Sequence, residues 1–292
     1  MALPRAHADA GEGNSGLSQA PMAGYARRAV QRRHAGRSVG ADDCIAEEIP
    51  VALIYNERAH AVMMATPADL EDFALGFSLS EAIIDCADEL EGLAVQHVLE
   101  GIEVRMTIAT ARADHLAARA RSLPGRSSCG LCGAETLEAA IRHPPAVGAG
   151  PTIDDAALQR ALAQLRERQP LNVATGATHA AAWSDRDGHI RLLREDVGRH
   201  NALDKLIGAM MNAGLDVACG FLIITSRASY EMVQKAATLG ISVLAAISAP
   251  TALAISLAEE TGMTLIGFAR ADGYVTYANA WRLDRTRQAD SP

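Results

Sequence analysis

The hydrophobic positions change period part-way along the chain. Residues 50–55 (P-V-A-L-I-Y) and 61–65 (A-V-M-M-A) flank the turn N-E-R-A, a pattern that predicts a β-hairpin. Thr66 is placed as an N-cap and Pro67 at a first helical position, so an amphipathic helix is expected from there to about Ile84. Strands follow around Leu93–Val98 and Ile102–Thr107, then a helix around Asp114–Ser122. These elements make a small α+β module. Within it Asp72, Gly76 and Glu81 read as helix-surface and packing residues.

The second half alternates differently. A polar amphipathic helix over Asp154–Arg168 leads into strands at Ala180–Ser184 and His189–Arg194, then a helix at Ala202–Ala213. Strand Val217–Thr225, helix Tyr230–Leu239, strand Ile241–Ile247, helix Thr251–Glu260 and strand Thr264–Phe268 complete the series. Such alternation predicts an α/β domain with a mostly parallel sheet flanked by helices. Residues 1–38 show no periodicity and read as a disordered tail. The expected organisation is therefore a tail at 1–38, an α+β domain at 39–124, a joint at 125–150 and the α/β domain at 151–292.

Composition narrows the function classes. With 49% hydrophobic and 21% charged residues, the 292-residue chain has the make-up of a globular protein. A net charge of −8 and only 4% aromatics argue against a nucleic-acid partner, which wants cations and stacking platforms. The tail is the exception, with six arginines against Asp9 and Glu12. Ile241–Ala258 carries no charge, but Pro250 divides it into strand and helix, so no membrane span is expected. The first forty residues hold no apolar stretch of secretory type, and five cysteines make no disulfide framework. Free thiols in a cytoplasmic setting are the expectation.

Two of those cysteines, Cys129 and Cys132, lie in Arg126–Gly133, R-S-S-C-G-L-C-G. Gly130 and Gly133 let the backbone turn tightly around the sulfurs. The next eight residues, A-E-T-L-E-A-A-I, predict a short helix, which would put Cys132 near an N-terminus that favours a thiolate. Arg126 adds positive charge. The pattern fits sulfur chemistry, half of a zinc site, or two structural thiols. Neither Cys44, Cys86 and Cys219 nor the histidines form a second metal knuckle, so no resident metal is expected.

In open α/β sheets, ligands bind beyond the carboxyl ends of the strands. After the second predicted strand come Asp196, Arg199, His200 and Asn201; after the third, Ser226, Arg227 and Ser229; after the fourth, Ser248; after the fifth, Arg270. Small residues, hydroxyls and cations thus converge where helices begin, which suits an anionic, nucleotide-like ligand. Each alone is also an ordinary helix cap or surface residue. Neither a Walker A motif nor G-x-G-x-x-G is present.

The words C-G-L-C-G (129–133), E-D-V-G-R-H-N-A-L-D-K-L-I-G (195–208), S-R-A-S-Y-E-M-V-Q-K-A (226–236), S-A-P-T-A-L-A (248–254) and G-F-A-R (267–270) resemble the FdhD family. So does A-T-P-A-D-L-E-D-F-A-L-G-F-S-L-S-E (65–81). These are accessory sulfurtransferases of formate dehydrogenase. The resemblance implies a cytidine-deaminase-like C-terminal domain and a smaller N-terminal α+β domain. It implies a persulfide relay, from a cysteine desulfurase to the molybdenum (or tungsten) bis-molybdopterin guanine dinucleotide cofactor of formate dehydrogenase, and a homodimer. Cys129 would bear the persulfide with Cys132 assisting. Phe268, Ala269, Arg270, Ala271, Asp272 and Gly273 would contact the guanine dinucleotide together with the strand-end residues. A cofactor-binding chaperone whose cysteines carry no transferable sulfur is the alternative. Deamination is not expected, since Thr178–Trp183 (T-H-A-A-A-W) has alanine where the catalytic glutamate belongs.

Overall fold

A computed structural model of the chain describes residues 24–121 and 142–284. Cys129, Cys132 and the helix expected after them lie outside the described residues. The N-terminal half begins with a two-stranded antiparallel ribbon, β1 (Tyr25–His34) and β2 (Arg37–Ala46). Residues 25–38 were expected to belong to the tail. Most of their side chains stay exposed, so the strands carry none of the alternation that betrays a half-buried sheet.

A four-stranded sheet follows, in the order β4-β3-β6-β5, from β3 (Ile49–Tyr55), β4 (Arg58–Ala65), β5 (Leu90–Val98) and β6 (Gly101–Ile108). Helices α1 (Leu70–Ser80) and α2 (Thr110–Arg121) complete this module.

The second half opens with α3 (Asp155–Glu167) and the short α4 (Pro170–Thr175). Its six-stranded sheet has the order β12-β11-β10-β9-β7-β8. The strands are β7 (His179–Asp185), β8 (Ile190–Asp196), β9 (Gly220–Ile224), β10 (Val243–Ala246), β11 (Thr264–Arg270) and β12 (Gly273–Ala278). Helices α5 (Arg199–Asn212), α6 (Tyr230–Thr238) and α7 (Ala252–Thr261) connect them.

The expected parallel arrangement holds at the centre, where β9, β10 and β11 run together. The flanks are antiparallel: β8 and β9 against β7, and β12 against β11. The short β7–β8 and β11–β12 turns leave no room for the crossover that parallel strands need.

The two halves share one core. Helix α1 lies across α5, and Phe73, Ala74 and Phe77 join Leu203, Leu206 and Ile207 in a single buried cluster. The close approach depends on Gly76 and Gly208. A Cβ on Gly76 would come within 2.7 Å of the Gly208 nitrogen and overlap the Asp204 carbonyl. A Cβ on Gly208 would collide with the backbone of Asp72. Asp72 itself reaches over to Arg194, 2.7 Å away, and Gly76 is a contact point. The residues expected to serve packing and surface roles therefore form the seam between the modules.

A candidate site along one sheet edge

Because β9, β10 and β11 are parallel, their carboxyl ends share one edge. Antiparallel pairing brings the start of β7 and the end of β8 to that same edge, where His179 lies opposite Asp196. The turn after β11 belongs there too, since Arg270 pairs with Gly273. Backbone bonds tie the row together: Thr225 N–H donates to Ala180 O at 3.0 Å, and Phe268 N–H to Ser248 O at 3.1 Å. The structure thus assembles Arg199, His200, Ser226, Arg227, Ser229, Ser248 and Phe268–Gly273 along one edge, as the strand-end rule predicts.

The side chains do not all face outward. Asp196 is fully buried and pairs with Lys205, also fully buried, at 2.7 Å. Its carboxylate further accepts from Thr66 N–H (3.0 Å), Gly198 N–H (2.7 Å) and Asn201 Nδ2 (3.0 Å). Asn201 also donates to Met64 O at 2.8 Å, and Lys205 to Thr66 O at 2.9 Å. Asp196 and Asn201 therefore hold the modules together and orient the start of α5. Ala269 is buried in the core, so only its backbone reaches the edge.

What remains is cationic and hydroxyl-rich. Arg227 and Arg270 are exposed, and the buried Arg199 Nε and Ser229 Oγ have no hydrogen-bond partner among the described residues. Ser229 occupies the N-cap of α6 without accepting a capping bond, whereas Thr251 caps α7 by accepting from Ala254 N–H at 3.3 Å. The first-turn amides of α6 consequently have no N-cap side chain over them. His200 Nε2 approaches Glu231 Oε2 at 2.7 Å. Burial pushes Glu231 up, but His200 and Arg199 outweigh it and hold the carboxyl below its ordinary value. Phe268 adopts the left-handed conformation (φ 50°), a strained choice for an aromatic residue, and the residue is 41% exposed at the row's end.

Sequence reasoning missed four contributors. His179 is half-buried at the edge; burial and then the neighbouring Arg199 and His200 lower its pKa. Glu81, Lys235 and Arg142 build a charged cluster where α1, α6 and residue 142 meet. Lys235 Nζ lies 2.9 Å from Glu81 Oε1 and 3.0 Å from Asp204, while Arg142 contacts Glu81 at 2.8 Å. Arg142 is further held by the Tyr230 hydroxyl, which accepts from its N–H (2.6 Å) and donates to its carbonyl (2.7 Å). Arg142 is ten positions after Cys132, and Tyr230 opens α6. Arg142 is thus fastened to the first residue of α6, whose N-terminus has no capping side chain.

Comparison with known proteins decides the family. The FdhD/NarQ family model matches residues 46–284. This chain belongs to the FdhD/NarQ family. It is 55% identical over 267 residues, 91% of its length and 95% of the relative's, to "Sulfur carrier protein FdhD" of Xanthomonas euvesicatoria pv. vesicatoria. A protein of the same name from Cupriavidus necator is 53% identical over 255 residues, 87% of this chain and 88% of that one. A crystal structure described as a putative formate dehydrogenase accessory protein, from Desulfotalea psychrophila, superposes with a TM-score of 0.71. It is 22% identical and covers 89% of this chain and 99% of its own, a likeness of fold. Among the described residues no helix is long and apolar enough to cross a membrane.

Proposed function

We propose that this protein is a sulfur carrier that holds sulfur as a persulfide on Cys129. It takes that sulfur from a cysteine desulfurase and passes it to the molybdenum or tungsten bis-molybdopterin guanine dinucleotide cofactor destined for formate dehydrogenase. The observation that carries the reading is 55% identity over 91% of the chain to a named sulfur carrier. The C-x-x-C at Cys129 and Cys132 supplies the thiols, and the cytoplasm the reducing setting.

In the accepting step the Cys129 thiolate attacks the outer sulfur of the donor persulfide. One S–S bond breaks as another forms, the donor cysteine departs as a thiolate, and no net oxidation occurs. Cys132 assists as the neighbouring thiol. The dinucleotide is the substrate that receives the sulfur. Its phosphates suit Arg199, Arg227, Arg270 and the uncapped start of α6, and the Phe268 ring offers a face on which guanine can stack. His200, Ser226, Ser229, Ser248 and the 269–273 turn line the same edge, and Asp196 and Asn201 fix its geometry.

Intact-protein mass spectrometry after incubation with a cysteine desulfurase and cysteine tests the proposal. Wild type should gain about 32 Da, one sulfur, which is lost on reduction; Cys129→Ala should gain none. A gain retained in Cys129→Ala would move the carrier role to another cysteine. No gain in wild type would favour a cofactor-binding chaperone whose cysteines carry no transferable sulfur.

A further inference from the structure

The family model begins at residue 46, so nearly all of the β1–β2 ribbon lies ahead of it. Residues 25–46 hold five arginines and two aspartates, a net charge of +3 on a chain of −8, which leaves −11 for the rest. Four of those arginines stand on β1, which carries no acid: Arg27, Arg28, Arg32 and Arg33, all exposed. Asp43 faces Arg28 across the ladder but bonds Arg32 instead, at 3.1 Å, in a pair that is itself exposed. Among the described residues no carboxylate pairs with Arg27, Arg28 or Arg33.

The outer edge of β1 is open among the described residues. The ribbon is a sheet of two strands, and α4 packs against β2. Its loop residues Ala35 and Gly36 have φ of 48° and 81°, and the loop closes on His34 and Arg37. A two-residue turn of this kind closes on a hydrogen-bonded pair, so the amides of Arg28, Val30, Arg32 and His34 face β2. Those of Arg27, Ala29, Gln31 and Arg33 point away from it. Such an edge takes up an added extended segment through its backbone groups. A two-stranded ribbon is at best marginally stable in water, and a third strand would support it.

Charge chooses the occupant. The arginines come as two adjacent pairs with Ala29, Val30 and Gln31 between them. Adjacent strand residues point to opposite faces, so each face offers two cations. They repel a second β1 or any other basic segment. A strand that meets all four carries two acidic pairs three residues apart, a pattern that reads alike in either direction. Carboxylates suit it, because guanidinium binds them in a two-bond fork. Nucleic acid would want stacking surfaces, and the ribbon has no Phe or Trp and a single Tyr, at its base. A lipid surface would want Trp, Phe or Leu to insert, and the ribbon has none of these.

We propose that the outer edge of β1 is a docking strand for an acidic, extended segment of a partner protein. That segment joins the ribbon as a third strand and sets carboxylates over Arg27, Arg28, Arg32 and Arg33. Docking of this kind depends on neither the cysteines nor the sulfur-carrier reading.

Fluorescence anisotropy with the full chain tests it, using the labelled peptide T-E-E-V-T-V-E-E-T and the same composition clustered as E-E-E-E-V-T-V-T-T. The clustered peptide can meet only one arginine pair, so wild type should bind the first at least about tenfold more tightly. Ala29→Pro removes an outward amide and no charge, and should weaken binding at least about fivefold. Arg27 and Arg33 lie on one face, opposite Cys44 and Ser38, so exchanging them spares the ribbon's own ion pair. The Arg27→Glu, Arg33→Glu variant should lose the first peptide and bind T-K-E-V-T-V-E-K-T to within about threefold of the wild-type affinity. No binding by wild type, equal affinity for the first two peptides, or an Ala29→Pro variant as tight as wild type would each overturn the proposal. So would failure of the exchanged peptide to bind the exchanged protein. Tighter binding of a nine-residue oligouridine, or of phosphatidylglycerol–phosphatidylcholine vesicles, than of the first peptide would overturn it in favour of nucleic acid or a membrane.

Discussion

Replacing Gly76 by alanine tests whether the α1–α5 crossing unites the two modules. On helix propensity alone the change should help, by about 1 kcal/mol. The crossing forbids it. The new methyl would lie 2.7 Å from both the Gly208 nitrogen and the Asp204 carbonyl carbon, and inside the radius of the Asp204 oxygen. All three are backbone atoms of a helix and cannot rotate aside. Relief requires α1 and α5 to separate by about 1.5–2 Å to bring the Asp204 oxygen to ordinary contact. That separation loosens the buried ring and aliphatic contacts of Phe73, Phe77, Leu203 and Ile207. It also stretches the Asp72–Arg194 pair, now 2.7 Å, and the Ser80–Asp204 bond, now 2.7 Å. Overpacking costs about 1–3 kcal/mol where side chains can adjust, so the upper end applies to a clash with backbone. The net loss should be about 2–3 kcal/mol, a fall in Tm of about 5–10 °C. Scanning calorimetry measures it, with Gly208→Ala as the reciprocal variant. The two changes relieve the same clash by the same displacement, so the double variant should lose less than the sum. An unchanged or raised Tm for Gly76→Ala would refute the close crossing.

The charged cluster yields the remaining predictions. Burial pushes Glu81 up, but Lys235 and Arg142 outweigh it and hold its carboxyl down to about 2. A lowered carboxylate stabilises the fold above its unfolded pKa, so about 3 kcal/mol should be present above pH 5 and be lost as pH falls toward 2. Urea midpoints across that range measure it; a Glu81→Gln variant with the same acid slope as wild type would contradict the assignment. Lys235→Met should cost about 3–5 kcal/mol, because Asp204, its side chain 1% exposed, loses its cation while staying buried. A Tm equal to that of wild type would show that Asp204 does not need Lys235.

Most of the fold was legible because its period announced it. Apolar runs separated by amphipathic helices marked β9, β10 and β11, and the strand-end rule then located the edge where Arg199, Ser226, Ser248 and Phe268 gather. Elements lacking that signal were missed. Strand β1 buries almost nothing, α4 spans six residues and β12 is a six-residue edge strand. His179 escaped notice as a site residue because reaching the edge requires β7 to run antiparallel to β9, a matter of sheet order and not of local pattern. The partners of Asp196, Asp204 and Glu81 were equally invisible. The bond from Thr66 to Asp196 spans 130 residues and that from Lys235 to Ser80 spans 155.

Those long-range partners change how the most specific word of the chain, E-D-V-G-R-H-N-A-L-D-K, is to be understood. Glu195 accepts from the amides of Leu171 and Asn172, at 2.9 and 2.8 Å, and from the Thr178 hydroxyl. Asp196 and Lys205 neutralise each other in the core, Asn201 ties Asp196 to β4, and Asp204 receives Lys235 from α6. Glu195 thus pins α4 within the second module, while Asp196, Asn201, Asp204 and Lys205 serve the joint between modules through Thr66, Met64 and Ser80. Only Arg199 and His200 are left to act at the edge, one with a buried unpartnered nitrogen and the other against Glu231. Burying so many charges is costly unless each is paired, and loss of any one partner strands another. Under the proposed function the word is a rigid mount for Arg199 and His200. Substitutions at its acidic positions should then act first on the fold, and those at Arg199 or His200 on the binding of the proposed dinucleotide substrate.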